Sequence, residues 1–330
     1  MNKVHIIAEA GTNHNGQYAT AEQLAQTAKI AGADSVKFQI IYPEGLYLPK
    51  FFDKSQYVDN EVFLTRQKFM LSDAEYSRLA DYCRQLDLLF SASVFDERGL
   101  NLLDELDAPY IKIASCDLNN SRLLKQAAER GHQIVLSTGM ATLAEIDRAV
   151  ADITATGHNK VVLMHCVSIY PALLSQMNLS FIDTLTTAFG LPVGLSDHTE
   201  GSLAAAIAVS KGVTWLEKHF TLDRASPGFD HAYAMEPPVL TQYVTDVRSA
   251  ETACHRPSAK ISQSEATVKQ RARRGLYAAR DMVAGEIVTA ADILIVRPEG
   301  PLRPNEMDLV MGKPLKQHVY QYQPLSLELV

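Results

Sequence analysis

The first strand-like run of the chain reads VHIIAEA over residues 4–10, and it is followed by GTNHNG over residues 11–16. A doubly wound α/β fold that binds a dinucleotide would carry the pattern GxGxxG at this turn, where the glycines cradle a pyrophosphate. GTNHNG does not match that pattern. The stretch therefore favours the other common parallel α/β architecture, the TIM (β/α)8 barrel, over a doubly wound sheet.

The chain up to about Cys254 repeats one pattern, in which short β-rich runs are separated by segments with helical apolar spacing. Eight such runs over about 250 residues are typical of a TIM barrel. The predicted strands are Val4–Ala10, Ser35–Gln39, Leu89–Val94, Tyr110–Ser115, Gln133–Thr138, Lys160–Cys166, Pro192–Asp197 and Trp215–Phe220. The predicted helices include Ala21–Ala31, Ser72–Leu86, Ser121–Arg130, Leu143–Ile153, Ser202–Lys211 and Pro238–Thr252.

One connection is longer than this pattern requires. The segment Ile40–Leu71 separates the second strand from its helix by about 32 residues, whereas most βα loops have roughly 2–6. In a TIM barrel the loops that follow the strands build the catalytic face. We therefore expect this insertion to form a substrate wall or a lid.

The sequence after Cys254 has a different character. A polar stretch leads into short apolar runs that are punctuated by Pro and Gly, which predicts a small all-β domain. The predicted domains are a TIM barrel over residues 1–255, a linker over 256–272 and the small domain over 273–330. A domain of this size is expected to gain stability by packing against a barrel, either its own or that of a partner subunit.

The composition is that of an ordinary globular protein. Hydrophobic residues make up 47% of the chain and charged residues 21%, so a sizeable core can form. The net charge is −7 without a basic stripe, so no nucleic-acid partner is expected. The chain shows neither a signal-peptide pattern nor a long apolar run, which predicts a cytoplasmic protein without membrane contact. The four cysteines lack CxxC spacing, which predicts reduced thiols.

Two histidines are predicted to lie side by side at the catalytic end of the barrel. Strand alternation places Glu217 and His219 on the inward face of the eighth strand, and Ser196 and His198 on that of the seventh. Adjacent strands lie about 4.8 Å apart, so both imidazoles can bind one divalent ion, with water or substrate completing its shell. A lone histidine would more simply be a hydrogen-bonded core residue, but two at matching strand ends favour a metal site.

Two lysines lie within apolar strands, where burial is costly unless the charge meets an anion. Lys37 is near the end of the second strand and Lys112 is inside the fourth. With serines at the ends of neighbouring strands they predict a pocket for phosphate and carboxylate groups. These serines are Ser93, Ser115 and Ser137. The alternative is that each lysine pairs with a carboxylate of the protein, either Glu9 or Asp117.

An ordered series of motifs extends over nearly the whole chain. It consists of IIAEAGTNHNG (6–16), AGADSVKFQ (31–39), KIAS (112–115), LSTGM (136–140), HC (165–166), YP (170–171), GLSDHT (194–199), EKHFTLD (217–223), GFDH (228–231) and EP (236–237). In this order the chain resembles the sialic acid synthase family, which includes N-acetylneuraminate, legionaminate and pseudaminate synthases. The tail from Arg274 resembles the antifreeze-like (SAF) domain of these enzymes.

The chain departs from the family pattern at several positions. The family's Ser-Gly-Glu after the fourth strand reads Ser115-Cys116-Asp117, and its Gly-Pro-Asp-His reads Gly228-Phe229-Asp230-His231. A Ser-Thr-Pro-Phe motif reads Ala92-Ser93-Val94-Phe95, and Ser168 stands where an asparagine is common. Most of these changes concern sugar recognition, so they leave the identity of the sugar open: a mannosamine derivative, a 2,4-diacetamido sugar or another stereoisomer.

The resemblance implies a reaction. C3 of phosphoenolpyruvate attacks the aldehyde of an open-chain N-acylated amino sugar, water captures the resulting cation at C2, and phosphate departs. A divalent ion on His198 and His219, by analogy Mn2+ with Mg2+ or Co2+ as alternatives, would polarise the aldehyde. The candidates to accept the proton of the water are Glu217 and Asp117, with Glu9 as a third.

Two groups of substrate contacts are implied by the same resemblance. The contacts to phosphoenolpyruvate are Lys37, Ser93, Lys112, Ser115, Ser137, Ser168 and Ser196. The contacts to the sugar are Tyr170, Asp230 and Arg297. Arg297 would come from the second subunit of a homodimer that exchanges its C-terminal domains.

Two other functions are the alternatives to this one. A related synthase for seven- or eight-carbon keto acids would use a sugar phosphate on a similar barrel, but the C-terminal domain and the motif Asp230-His231 argue against it. A non-catalytic sugar- or ice-binding protein would suit an antifreeze-like tail. Such a binder would have no use for two buried lysines and a pair of histidines.

Overall fold

The computed structural model describes residues 3–254 and 261–330. The chain divides into two compact units, Met1–His255 and Arg256–Val330. In the first unit eight parallel strands follow one another in chain order and close into a barrel. The predicted TIM barrel is thereby confirmed.

The strands agree with the predicted ones to within a few residues, and two additional strands lie in the long insertion. In chain order they are β1 His5–Gly11, β2 Ser35–Ile40, β3 Lys50–Asp53, β4 Gln56–Asp59, β5 Leu89–Val94, β6 Tyr110–Ile113, β7 Gln133–Ser137, β8 Val161–Cys166, β9 Val193–Asp197, β10 Trp215–His219, β11 Gly275–Ala278 and β12 Ile293–Val296. The barrel contains all of the first ten except β3 and β4.

The helices pack around the barrel or lie in the insertion and the second unit. They are α1 Tyr18–Ala31, α2 Pro43–Leu46, α3 Glu61–Lys68, α4 Asp73–Gln85, α5 Glu97–Glu105, α6 Ser121–Glu129, α7 Leu143–Thr154, α8 Phe181–Phe189, α9 Leu203–Ser210, α10 Pro237–Cys254 and α11 Gln263–Ala272. Local sequence fixes several of their ends. Capping boxes formed by Ser72 with Glu75 and by Thr142 with Glu145 begin α4 and α7.

The barrel interior is apolar at the amino ends of the strands and polar at their carboxyl ends. Ile7, Tyr110, Val135, Val162 and Met164 form a buried cluster inside the barrel, with Trp215 packed against it. On several strands the residue two positions further along faces the same interior but is polar or charged. The apolar layer therefore forms a floor beneath the site described below.

The insertion between β2 and α4 has secondary structure of its own. It contains α2, the antiparallel hairpin β3–β4 and α3. The hairpin presents large apolar side chains to solvent, including Phe52 with 68% of its surface exposed and Tyr57 with 75%. Asn60 caps α3 and also donates from its side chain to the carbonyl of Leu48. The insertion is thus a structured wall rather than an irregular loop.

The second unit has a small core of its own around the antiparallel pair β11–β12. Isolated bridges link Ile287 to Pro314 and Tyr277 to Pro324, which places the other predicted β-rich runs in the same fold. Residues 263–272 of the predicted linker form the helix α11, because Ser262 caps it and the segment carries no Gly or Pro. His255–Lys260, also within the predicted linker, lie outside the described residues.

None of the helices within residues 3–254 and 261–330 has both the length and the apolar character that a membrane crossing requires.

Candidate active site

The carboxyl ends of the barrel strands surround a pocket of about 300 Å³. Most of the predicted site residues line this pocket. They are Glu9, Lys37, Ser93, Lys112, Ser115, Ser137, Ser168, Tyr170, Ser196, His198, Glu217 and His219. The two lysines, the serines and the two histidines thus line one cavity. Strand alternation in the sequence had predicted that most of them face the barrel interior.

Three predicted residues lie elsewhere. Asp117 is in the short 3-10 helix after β6 and is not in the pocket wall; its carboxylate accepts a hydrogen bond from Asn120 Nδ2 at 3.2 Å. Asp230 accepts a hydrogen bond from the hydroxyl of Tyr233 at 2.5 Å. Arg297 belongs to the second compact unit. The sugar-binding roles of Asp230 and Arg297 stay predictions.

Asp230 lies close to the loop that follows β1. Gly11 has φ +56°, and a Cβ atom at Gly11 would lie 2.8 Å from Asp230 Oδ2. Any other residue at this position would therefore meet both backbone strain and the carboxylate.

Lys37 forms the centre of a buried charge cluster. Its Nζ atom lies 2.5 Å from Glu9 Oε2 and 3.6 Å from Glu217 Oε2, and it donates to Ser93 Oγ at 2.8 Å. Burial disfavours the charge on Lys37, but Glu217 and Glu9 raise its pKa above the usual value. The alternative prediction, in which a lysine pairs with Glu9, is therefore observed for Lys37.

Lys112 is less fully paired. It donates to Ser137 Oγ at 2.6 Å and to the carbonyl of Ile113 at 3.2 Å, and Glu217 Oε2 is 4.0 Å away. Burial lowers the pKa of Lys112. Among the described residues, Glu217 is the only carboxylate within 4.0 Å of Lys112 Nζ, so this lysine has capacity for a further anion.

The pKa values of the two carboxylates in the cluster are shifted in opposite directions. Burial raises the pKa of Glu9 to about 7, although Lys37 opposes this shift. Burial would also raise the pKa of Glu217, but Lys112 and Lys37 bring it down to about 2. Neighbouring carboxyl groups with pKa values this far apart are typical of acid–base sites, where one carries a proton and the other stays ionised.

The two histidines are arranged as a shared metal site requires. Their ring centroids are 5.6 Å apart, and two imidazoles with nitrogen–metal distances of about 2.1 Å can span such a separation. His198 Nδ1 bonds the carbonyl of Val167 at 2.7 Å, so Nε2, which lies 3.4 Å from Ser196 Oγ, is the atom that would bind an ion. Burial lowers the pKa of His219 to about 4, so its imidazole is neutral and able to bind a cation at pH 7.

Few side chains of the pocket could serve as metal ligands. Across the described ranges, no three or more His, Cys, Asp or Glu side chains converge in a metal cluster. An ion at this position would therefore depend on the histidine pair, with water and substrate supplying the other ligands. The residues present fit a hard or borderline divalent ion that is held in part by its substrate.

Five residues of the pocket wall were not identified from the sequence: Gln39, Ala114, Cys116, Met140 and Cys166. Gln39 follows Lys37 on the same face of β2, so the alternation rule could have found it. Its Nε2 atom donates to Glu9 Oε1 at 3.0 Å. Cys166 follows Met164 on the same face of β8. Its largely apolar sequence context did not indicate a functional role. Met140 has φ +62° and is 74% exposed, which no sequence pattern indicated.

Comparisons with known proteins agree with this geometry. Residues 24–258 match the model of the NeuB family, and residues 273–330 match that of the SAF domain. The chain is 34% identical to the N,N'-diacetyllegionaminic acid synthase of Legionella pneumophila, over 95% of this chain and 91% of that protein. It is 31% identical to the N-acetylneuraminate-9-phosphate synthase of Drosophila melanogaster, over 98% of this chain and 95% of that protein.

A solved structure shares both the fold and much of the sequence. It is the N-acetylneuraminic acid (sialic acid) synthetase of Leptospira borgpetersenii serovar Hardjo-bovis, crystallised with citrate. The TM-score is 0.73 at 33% identity, and the match covers 81% of this chain and 90% of that one.

Proposed function

The chain belongs to the NeuB family, and we propose that it condenses phosphoenolpyruvate with an N-acylated amino-sugar aldehyde to form a nonulosonic, sialic-acid-like acid and free phosphate. One observation of the structure carries this proposal. Two buried lysines with serine partners lie in the same cavity as a histidine pair, so the pocket could hold an anionic substrate beside an ion that would polarise a carbonyl group.

The lysine side of the pocket suits phosphoenolpyruvate. Lys112 and Ser137 form one arm, and Lys37 and Ser93 form the other. Ser115, Ser168 and Ser196 add hydroxyl groups to the same wall. Lys112 lies 4.0 Å from the carboxylate of Glu217, so its charge is not fully offset and favours a bound anion.

The histidine side suits the sugar aldehyde. A divalent ion on His198 and His219, by analogy Mn2+ with Mg2+ or Co2+ as alternatives, would supply Lewis-acid polarisation of the aldehyde. The ring of Tyr170 lies 4.1 Å from that of His198 and forms a flat wall beside it. In the proposed reaction, C3 of phosphoenolpyruvate bonds to the aldehyde carbon, and the carbonyl electrons move onto its oxygen, which takes up a proton.

Of the three predicted proton acceptors, Glu9 is the one whose pKa and position best support this role. The cation at C2 is captured by water, which must lose a proton before phosphate departs. Efficient general bases have a pKa near the working pH, which Glu9 meets at about 7 and Glu217 does not at about 2. Asp117 lies outside the pocket wall. We assign the proton transfer to Glu9, and to Glu217 the task of holding both lysines in place.

Glu9→Gln tests this assignment. We expect kcat to fall about 10²-fold, because the variant keeps the shape of the side chain but cannot accept a proton. In the wild type, kcat/KM should decline as the pH falls through about 7, where Glu9 becomes protonated. That limb should be missing from the pH profile of Glu9→Gln. If kcat/KM of the variant still declines as the pH falls through about 7, a group other than Glu9 is responsible for the decline.

Lys112→Met tests the anion pocket. Methionine keeps much of the buried volume but removes the charge, so we expect the KM for phosphoenolpyruvate to rise about 10–100-fold while the KM for the sugar changes little. Lys125→Met is the matched control, because Lys125 lies on the outer face and pairs with Asp152. A raised sugar KM with an unchanged phosphoenolpyruvate KM would reverse the two sides of the pocket.

The reaction itself is tested with a panel of aldehydes. Purified protein is incubated with phosphoenolpyruvate, Mn2+ and either N-acetylmannosamine, its 6-phosphate, 2,4-diacetamido hexoses or a pentose phosphate. The nonulosonic acid product and the released phosphate are then measured. Product from a pentose phosphate alone would favour the shorter keto-acid synthases. Sugar binding without any product would favour a non-catalytic role.

The proposal includes a homodimer in which each C-terminal domain caps the pocket of the other subunit. Its support is the apolar rim of the barrel mouth, where Met140, Leu173 and Tyr170 are 74%, 64% and 45% exposed. Side chains of this kind favour coverage by another surface.

We also place the protein in the cytoplasm, because all four of its cysteines are free thiols.

A further inference from the structure

The two histidines of the proposed metal site are held in place by different means. His219 is the last residue of β10, and its backbone pairs with Glu9 in the barrel sheet. His198 lies one residue beyond the end of β9, so the regular strand ladder does not fix its backbone. A functional side chain outside a strand needs other contacts to keep one orientation. Such contacts come from the outer face of the barrel.

Lys218 and Asp197 form a buried ion pair behind the two histidines. They are direct neighbours in the register of β9 and β10, and strand alternation points both of them away from the barrel interior, opposite to His219. Lys218 is 3% exposed and Asp197 is 1% exposed. Lys218 Nζ lies 3.1 Å from Asp197 Oδ2 and 5.3 Å from the centre of the Tyr243 ring on α10. The pair is therefore enclosed between the sheet and the helix layer.

Both members of the pair bind the turn that carries His198. Asp197 Oδ1 accepts hydrogen bonds from the backbone amide of Thr199 at 2.9 Å and from its hydroxyl at 2.7 Å. Lys218 Nζ donates to the carbonyl of Thr199 and, at 3.5 Å, to that of Gly201. The residues on either side of His198 are thus fixed to one buried ion pair, which limits where its imidazole can point.

Stability alone does not account for this ion pair. Burying two charges costs desolvation free energy that their attraction repays only in part, and well-packed apolar side chains in such places are often equally stable. What the charged pair provides and an apolar pair would not is a set of directed bonds. These bonds run to Thr199 and Gly201, in the turn that holds His198. The geometry of that turn is therefore what the pair determines.

We propose that Lys218 and Asp197 are positioning residues for the metal site, and that they hold His198 where it can share an ion with His219. This inference rests on the proposed function. Contacts behind a ligating histidine fix its orientation, and their loss typically lowers metal affinity about 10–100-fold. His198 already has one such contact, from Nδ1 to the carbonyl of Val167, which orients the ring. The ion pair adds a second, which fixes the backbone.

The test measures Mn2+ binding directly in the full-length protein. Lys218→Met alone would leave the carboxylate of Asp197 buried without its cation, so the main variant is Lys218→Met/Asp197→Asn. Asparagine keeps an oxygen for the two hydrogen bonds of Thr199, and methionine fills much of the volume of lysine. The metal-free proteins are titrated with Mn2+, and the free ion is followed by electron paramagnetic resonance. We expect the dissociation constant to be about 10–100-fold higher than in the wild type.

Thr199→Val provides a milder variant that leaves both charges in place. It removes the hydroxyl that donates to Asp197 but keeps the backbone bonds of the turn. The loss of one hydrogen bond corresponds to a rise of about 2–10-fold in the dissociation constant of Mn2+. A graded effect across the two variants would follow the number of bonds removed from the turn.

Turnover supplies a readout that a merely structural role would not change. Lys218→Met/Asp197→Asn should need about 10–100-fold more Mn2+ for half-maximal turnover, while kcat at saturating Mn2+ and the KM for phosphoenolpyruvate stay close to those of the wild type. The matched control is Arg248→Met/Asp34→Asn, which removes an ion pair between α10 and the amino end of the barrel. The control should unfold at a lower temperature but keep the Mn2+ affinity of the wild type.

Each outcome distinguishes a different failure. Wild-type Mn2+ affinity in Lys218→Met/Asp197→Asn and in Thr199→Val would show that the ion pair is structural, which would overturn the inference and leave the proposed function standing. Equally weakened Mn2+ binding in the control would overturn it too, because the effect would not be specific to the turn. A wild type that forms product but binds no Mn2+ would refute the metal site together with the inference. A wild type that binds Mn2+ but forms no product with any sugar would refute the proposed function, and the titrations would still report on the ion pair.

Discussion

Replacing either histidine of the pair, as His198→Ala or His219→Ala, is expected to lower kcat by about 10³-fold or more. A bound divalent ion contributes several kcal/mol to a transition state with a developing oxyanion, and that loss corresponds to such a factor. In the proposed metal site each imidazole would supply one of two side-chain ligands, so the loss of either would leave the ion with one. Turnover is measured at saturating concentrations of both substrates and of Mn2+.

The matched control is His132→Ala. His132 lies just before β7, at the opposite end of the barrel from the pocket, and contacts Asp104 at 3.0 Å. Its loss should leave turnover unchanged. Thermal unfolding should show all three variants folded, because the apolar floor and the helix packing do not involve these side chains. A variant of the pair with near-normal turnover would show that its histidine is structural.

Chelation examines the same site without a mutation. Dialysis against a chelator should abolish activity, and Mn2+ should restore it better than Mg2+ or Co2+. Metal content measured after dialysis provides a second readout, and it should be low in His198→Ala and His219→Ala even when Mn2+ is added back. Full activity in excess chelator, with no metal in the protein, would refute the metal site.

The barrel could be predicted because its sequence rules are strict. Each strand alternates between the interior and the helices, so charged or polar residues such as Lys37, Lys112 and His219 in apolar runs could only be functional or paired. The structure shows that Lys37 is paired. Its bond to Glu9 depends on the register between β1 and β2, which places the two residues side by side.

The parts that sequence reasoning missed are those without a repeating pattern. Arg66 lies in an insertion, and its contacts with Thr12 and Phe229 join three segments that are far apart in the chain. Asp117 was assigned to the site by analogy, but it lies in a 3-10 turn where Asn120 binds its carboxylate. Side-chain direction in such turns depends on local hydrogen bonds, and no periodicity indicates it.

The polarity of the barrel explains why the site tolerates so many buried charges. Glu9, Lys37, Lys112 and Glu217 are each at most 5% exposed. They offset one another, so the cluster needs few partners outside itself. Because Glu9 is the member whose pKa lies near neutrality, it is the one that can exchange a proton without disrupting the other pairs. Binding and proton transfer are thus assigned to different members of one network.

The assembly proposal leads to the second large effect. Arg297→Ala and His198→Ala subunits should each be inactive as homodimers, the first because the cap lacks its sugar contact and the second because the barrel lacks a metal ligand. Two different affinity tags allow the mixed dimer to be isolated. We expect it to recover about half of the wild-type activity per dimer, several hundred-fold above either parent.

The size of the recovery follows from how the defects are distributed. If the caps are exchanged, one site of the mixed dimer combines the intact barrel of the Arg297→Ala subunit with the intact cap of its partner, and the other site has both defects. If each cap serves its own barrel, every site has one defect and no activity returns. The control is a mixed dimer of wild type and His132→Ala, which should be fully active. No recovery in an isolated, stable mixed dimer would therefore refute the exchange of caps and leave the chemistry of the barrel unaffected.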